Sequence, residues 1–86
     1  MKRYVLSPQF LRDFRMLEPG MSPADEQCVD RLLAAVVADP ETPRRVQTFY
    51  DPARPSWLVR SEPFVVHYAF DPQADEVTFL NLFRRR

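Results

Sequence analysis

Alternating apolar and polar positions dominate the last third of the chain, residues 57–85. In the run FVVHYAFD, one set of alternate positions is bulky and apolar, and the other set is smaller and more polar. Successive side chains of a β-strand point to opposite faces, so this run predicts a strand with one buried face. The buried set is Phe64, Val66, Tyr68 and Phe70, and the opposite set is Val65, His67 and Ala69.

Two further strands flank this run. Residues 77–82 repeat the alternation, and the polar segment 71–75, which contains a proline, is typical of a hairpin loop longer than two residues. Upstream, Ser61-Glu62-Pro63 separates the apolar run 57–60 from Phe64. Three strands with short connections predict an antiparallel meander.

The first half of the chain changes to helical spacing. A short strand at residues 4–6 precedes Ser7-Pro8, which supply an N-cap and a first-turn proline for a helix over 7–17. A second helix over 22–38 begins at Ser22, and Asp25 completes a capping box in place of the usual Glu. Its apolar stripe is typical of a core-facing helix: Cys28, Val29, Leu32, Leu33, Val36 and Val37.

These elements predict an α+β fold in which an N-terminal strand and a helical hairpin precede an antiparallel sheet of three or four strands. Both helices cover one face of the sheet, and the other face stays open. The segment 44–50 alternates and suits either the fourth strand or an extended loop, whereas 51–55 contains two prolines and is no regular strand. With 86 residues, the chain has apolar surface for one domain, residues 1–86.

The charge balance narrows the possible functions. The net charge is zero, whereas proteins that clamp nucleic acid usually carry a large positive excess. Most arginines nevertheless lie in the second half of the chain, so a neutral total does not rule out a basic face. They are Arg44, Arg45, Arg54, Arg60, Arg84, Arg85 and Arg86.

The single cysteine, the spacing of possible metal ligands and the hydropathy exclude further classes of protein. The single cysteine, Cys28, cannot form an internal disulfide and is expected to be a small buried side chain. No cluster of His, Cys, Asp and Glu has ligand spacing, so no metal and no other cofactor is expected. The chain has no apolar run of membrane-spanning length and no signal peptide, which predicts a cytoplasmic protein.

The order of strand, helical hairpin and meander, carried by YVLSPQFLRDFRML and WLVRSEPFVVHYAFDPQADEVTFLNLFRR, resembles the RelE/ParE superfamily of type II toxin–antitoxin toxins. The resemblance covers nearly the whole chain and depends on pattern and length. It implies a cytoplasmic protein that is neutralised when an antitoxin wraps around it. RelE-like members cleave mRNA on the ribosome, and ParE-like members inhibit DNA gyrase.

The resemblance also implies site residues. The family run R-x-G-x-Y-R-V-x-Y falls on residues 60–68, where Arg60 keeps the first arginine and Val65 replaces the second, which helps to hold the scissile phosphate in the nucleases. The final V-L-x-x-x-H-R falls on residues 79–85, where Arg84 replaces the histidine and Arg85 keeps the arginine. Basic residues that precede the meander in the nucleases are matched loosely by Arg44 and Arg45.

The chemistry of RNA cleavage adds one more candidate. Attack by a 2′-OH needs a group that accepts its proton, and arginines cannot do this because their pKa stays above about 12. His67 is the side chain whose ordinary pKa lies near neutrality, and alternation puts it on the open face. The candidate catalytic residues are therefore Arg60, His67 and Arg85, and the candidate RNA- or partner-binding residues are Arg44, Arg45, Arg60, Arg84 and Arg85.

The leading hypothesis is a toxin-like component of a type II toxin–antitoxin system that binds an antitoxin. If it is an enzyme, it is a ribosome-dependent mRNA endoribonuclease with an incomplete RelE-type catalytic set. The alternatives are a gyrase-inhibiting toxin and a non-toxic, non-catalytic interaction module. On the open face, Arg60 and an arginine from the adjoining strand surround Val65 and Ala69, which suits an acidic, amphipathic antitoxin segment.

Overall fold

The computed structural model describes residues 3–48 and 53–85 and contains the predicted order of elements. The strands are β1 (Arg3–Leu6), β2 (Val46–Gln47), β3 (Trp57–Ser61), β4 (Phe64–Asp71) and β5 (Glu76–Arg84). The helices are α1 (Pro8–Leu17) and α2 (Pro23–Ala38), with a 3₁₀ turn at Glu18–Gly20 between them. The predicted α+β class is confirmed.

Both helices begin where the sequence predicts, and a serine caps each of them. The Ser7 hydroxyl accepts a hydrogen bond from the Phe10 N–H at 3.1 Å. At α2, the Ser22 hydroxyl accepts from the Asp25 N–H at 3.1 Å, and the Asp25 carboxylate accepts from the Ser22 N–H at 3.0 Å. Asp25 thus completes the capping box, which satisfies amide groups that have no partner inside the helix.

The five strands form one sheet in the order β1-β5-β4-β3-β2. The predicted antiparallel meander of β3, β4 and β5 is present, and β2 pairs antiparallel with β3. The sheet is nevertheless mixed, not purely antiparallel as predicted, because β1 runs parallel to β5. The segment 44–50 is a strand only at Val46–Gln47, and its residues Phe49 and Tyr50 lie outside the described residues.

Strand β1 joins the sheet at the edge of β5 that the meander leaves unpaired. The Arg3 N–H donates to the Asp75 carbonyl and the Ser7 N–H donates to the Phe79 carbonyl, each at 3.0 Å. These bonds connect residues more than 70 positions apart, so no local pattern in the sequence reports the direction of the pairing. The parallel pairing therefore depends on tertiary contacts between the two ends of the chain.

The hydrophobic core lies between the two helices and one face of the sheet. Phe64, Val66 and Tyr68 are fully buried, as the alternation predicts, and Phe70 is only partly buried. The Tyr68 hydroxyl donates to the Pro40 carbonyl at 2.7 Å, and burial raises the pKa of this phenol. The remaining buried apolar residues are Phe10, Val29, Leu32, Val36, Val59, Val77, Phe79 and Leu82. No described helix is long and apolar enough to cross a membrane.

Candidate functional site

A groove of about 450 Å³ lies on the sheet face opposite the helices. Three of its lining side chains are apolar and three are arginines. The lining residues, together called the arginine groove, are Arg44, Val46, Leu58, Arg60, Val65 and Arg85. This volume falls in the range of small-ligand sites.

The strand register brings the central residues of the groove together. Leu58 pairs with Val46 on one side of β3, and Arg60 pairs with Val65 on the other side. Alternate residues of a strand share a face, so Leu58 and Arg60 point the same way. Side chains that are far apart in the sequence therefore form one surface across three strands.

Two arginines close the groove from outside the central strands. Arg85 follows β5, and its backbone N–H donates to the Pro63 carbonyl at 2.6 Å, which holds it beside the β3–β4 turn. Arg44 precedes β2, and its guanidinium donates to the Arg60 carbonyl at 3.0 Å. The structure thus places three of the candidate binding residues around one groove.

One carboxylate lies at the rim of the arginine groove. Glu62 Oε1 is 3.6 Å from Arg85 Nη1 and 4.0 Å from Arg60 Nη1. The side chains of Glu62, Arg60 and Arg85 are 65%, 62% and 52% exposed, and exposed ion pairs contribute at most about 1 kcal/mol each. Because guanidinium groups keep their charge, Glu62 compensates the positive charge of the groove only in part.

The candidate acid–base residue, His67, is buried, with 9% of its surface exposed. Its Nδ1 lies 2.9 Å from Asn81 Oδ1, and its Nε2 lies 2.8 Å from Ser56 Oγ. Ser56 is also buried, and its hydroxyl is hydrogen-bonded to that of Thr48. His67 pairs across the strands with Leu58, yet it does not line the arginine groove.

A hydrogen bond to Asp13 sets the direction of this polar chain. The Asn81 amide Nδ2 donates to Asp13 Oδ2 at 3.4 Å, so Asn81 Oδ1 faces His67 as an acceptor. A neutral His67 therefore carries its hydrogen on Nδ1, and its Nε2 accepts from the Ser56 hydroxyl. Both ring nitrogens have protein partners, which favours a structural role over a free acid or base.

Comparison with known proteins gives a result only at the level of structure. No protein-family model matches the chain, and no curated protein sequence matches it. The isolated RelE toxin from E. coli superposes with a TM-score of 0.73 at 14% identity, over 100% of this chain and 86% of RelE. The chain has a RelE-like toxin fold.

Two other solved toxin structures superpose on this chain. A metal-bound toxin from Helicobacter pylori superposes with a TM-score of 0.74 at 13% identity, covering 98% of this chain and 94% of that toxin. A copper-bound mutant toxin from Helicobacter pylori gives 0.67 at 17% identity, with the same two coverages of 98% and 94%. At these identities the likeness shows the fold alone, and the site has to be argued from this chain's own residues.

Within the RelE-like fold, two of the candidate binding residues lie away from the groove. The Arg45 guanidinium lies 4.5 Å from the centroid of the Trp57 ring and donates to the Pro40 carbonyl at 3.3 Å. Arg84 lies 5.5 Å from the Phe64 ring centroid, and one of its guanidinium nitrogens is 3.4 Å from the Asp25 carboxylate. Both arginines join the sheet to the ends of α2 on the helix-covered face.

Sequence reasoning missed Glu62, which was assigned only to a connection between strands. Alternation along β3 does not report it, because the strand ends at Ser61 and Glu62 lies in the turn that follows. Val46 and Leu58 were missed for another reason: their contact depends on the pairing of β2 with β3. That pairing crosses a proline-containing segment and has no local signature.

The remaining chemistry-bearing side chain is Cys28, which contacts Ser61 and Glu62. It is half-buried rather than fully buried as expected, and its Sγ lies 3.5 Å from the Ser61 carbonyl oxygen. Among residues 3–48 and 53–85, no three His, Cys, Asp or Glu side chains form a group that could hold a metal ion. The arginine groove with Glu62 is therefore the candidate site.

Proposed function

We propose that this chain is the toxin component of a type II toxin–antitoxin system and binds its antitoxin, in the cytoplasm, through the arginine groove. The observation that carries the proposal is the presence of three arginines and three apolar side chains in one groove of a RelE-like toxin fold. Arginine is common at protein interfaces, because its planar guanidinium pairs with carboxylates through two parallel hydrogen bonds.

The charge balance favours a peptide over a nucleic acid as the occupant. Binding to a phosphate backbone gains most of its affinity from many neutralised phosphates, and the net charge of this chain is zero. A phosphate gains no binding free energy from the apolar half of the groove. Apolar side chains of a peptide do, because they cover this surface and remove it from water. An acidic, amphipathic segment satisfies both halves of the groove.

Charge reversal in the groove tests this proposal. The Arg60→Glu variant is expected to bind the product of the adjacent gene at least about 2 kcal/mol more weakly than the wild type, roughly 30-fold, because a like charge then faces the partner's acid. Calorimetric titration measures the affinity. Arg31→Glu, an exposed position on α2, is the matched control and should keep wild-type affinity.

An equal loss in the two variants would mean that the effect comes from net charge and not from the groove. Unchanged affinity in Arg60→Glu would place the interface elsewhere, most simply on the outer surface of the helical hairpin. Absence of any binding by the wild type would contradict the proposal itself.

A second candidate function is cleavage of mRNA at the ribosome, and Glu62 is the observation that favours it. A carboxylate between two guanidinium groups combines a proton acceptor with charge stabilisation for a phosphorane. We rank this activity below partner binding, because Val65 occupies the position of the family's second phosphate-binding arginine. Gyrase inhibition, the other activity implied by the resemblance, needs a binding surface and no catalytic group.

A further inference from the structure

Glu62 lies at the rim of the arginine groove. The β3–β4 turn places it two residues after Arg60, and the Arg85–Pro63 backbone bond of 2.6 Å brings the chain after β5 to the same turn. One carboxylate oxygen, Oε1, is the atom closest to both guanidinium groups, at 3.6 Å and 4.0 Å. The two arginines are thus already arranged around a carboxylate that belongs to the chain itself.

These internal ion pairs are loose. Both distances exceed the 3.2 Å or so of a good N–H···O hydrogen bond, and all three side chains are more than half exposed. Exposed pairs of this kind contribute little because water competes for both charges. A carboxylate from a partner that also excludes water would form the stronger pair, since desolvated charge pairs at interfaces interact more strongly.

We propose that Glu62 is an exchangeable internal counterion, and that a carboxylate side chain of the partner displaces it when the partner's neighbouring apolar side chains cover Val46, Leu58 and Val65. This inference rests on the proposed function and names the chemistry of the partner segment: an acidic residue within an apolar stretch. Glu62 therefore lowers the affinity of the groove for its partner, and it compensates part of the charge of Arg60 and Arg85 while the groove is empty.

The isosteric variant Glu62→Gln tests the exchange. It removes the competing charge, keeps the side-chain shape and leaves both arginines in place. We expect it to bind the product of the adjacent gene about two- to fivefold more tightly than the wild type, the range that the loss of two weak, exposed ion pairs accounts for. The gain should shrink as salt rises towards 1 M, where screening acts within about 3 Å.

The control is Glu18→Gln, which changes the net charge equally at an exposed position beside the helices. Calorimetry on the three proteins at low and high salt gives a distinct pattern for each outcome. A gain in Glu62→Gln alone supports the exchange. Equal or weaker binding by Glu62→Gln, or the same gain in Glu18→Gln, overturns it and leaves the proposed antitoxin binding intact.

A second probe separates failure of the inference from failure of the proposed function. A synthetic peptide of alternating glutamate and leucine replaces the gene product in the same titrations. If the gene product does not bind but the peptide does, more tightly to Glu62→Gln, the partner is another acidic protein and the exchange stands. Binding of neither probe, or preference for a single-stranded RNA of equal length, overturns the exchange.

Discussion

The His67 ring connects parts of the chain that are distant in sequence. It lies on β4, and it is hydrogen-bonded to Asn81 on β5 and to Ser56 just before β3. Asn81 extends the chain to Asp13 on α1, whose carboxylate also accepts the Leu82 N–H at 3.0 Å. A buried polar network is stabilising only when every member has a hydrogen-bond partner. His67 meets this condition, because each of its ring nitrogens has one.

Replacing His67 with alanine should therefore reduce stability. The variant removes the hydrogen-bond partner of Ser56 Oγ and of Asn81 Oδ1, although Ser56 keeps Thr48 and Asn81 keeps Asp13, and the loss of such a partner costs about 1–3 kcal/mol. Chemical denaturation measures the loss, and His67→Gln should lose less because its amide can still donate to Asn81. Wild-type stability in His67→Ala would contradict the structural role and return His67 to the list of candidate catalytic residues.

Two adjacent leucines on α2 give a second prediction about single residues. Leu32 is 4% exposed in the core, whereas Leu33 is partly buried and lines a separate hollow beside Tyr4 and Val37. Leu32→Ala should lower the free energy of unfolding by about 2–5 kcal/mol, as truncations in packed cores do. Leu33→Ala should cost clearly less, and the reverse order would show that the other face of α2 is buried.

At the scale of elements, α2 is tied to the sheet at its N-terminus by a shared carboxylate. Asp25 accepts the Ser22 N–H in the capping box and also contacts the Arg84 guanidinium at 3.4 Å. The Ser22 backbone hydrogen bond, with help from Arg84, holds the pKa of Asp25 below its ordinary value of 3.8. The helix cap and the end of β5 therefore share one ionised group.

The α2 cap predicts how stability depends on pH. Because the folded-state pKa of Asp25 is lowered, its contribution is complete above the unfolded-state value of 3.8 and is lost as the pH falls through the lower folded-state value. The stability difference between the wild type and Asp25→Asn should therefore be constant near neutrality and vanish in acid. Asp30→Asn, in the middle of the same helix, serves as the control.

The same cap can be tested without a titratable group. Ser22→Ala removes the hydroxyl that accepts the Asp25 N–H and should cost about 1 kcal/mol. Unlike the Asp25 effect, most of this loss should persist at low pH, because the serine hydroxyl carries no charge. Denaturation of the two variants across the pH range distinguishes the two contributions.

Elements with local signals were predictable, and those set by distant contacts were not. The serine caps predicted where both helices begin. The alternation in β4 predicted that Phe64, Val66 and Tyr68 are buried. The parallel pairing of β1 had no local signal, because its bonds run to residues at the far end of the chain. For the same reason, alternation placed His67 on the open face but did not show that Ser56 and Asn81 occupy both of its nitrogens.

Over the whole molecule, a chain of zero net charge brings three arginines to one groove. The groove residues Arg44, Arg60 and Arg85 were all candidates from the sequence, but so were Arg45 and Arg84, which pack on the helix-covered face. Arg84 is the last residue of β5 and contacts Phe64 and Asp25, whereas Arg85 follows the strand and lines the groove. The sequence could supply the residue types of the site, and only the three-dimensional register could select among them.

The last prediction concerns the activity of the whole protein in a cell. Since Val65 stands where a second phosphate-binding arginine is implied and His67 has both nitrogens occupied, we expect induced expression to give little mRNA cleavage at the ribosome. Primer extension on a reporter mRNA measures cleavage, and plasmid supercoiling in the same cells measures gyrase inhibition. Any cleavage that does occur should be lost in Arg60→Ala and in Glu62→Gln, because in the proposed cleavage these two residues would supply the charge and the proton acceptor. Rapid cleavage that persists in both variants but disappears in a folded His67 variant would show that the groove is not the catalytic centre.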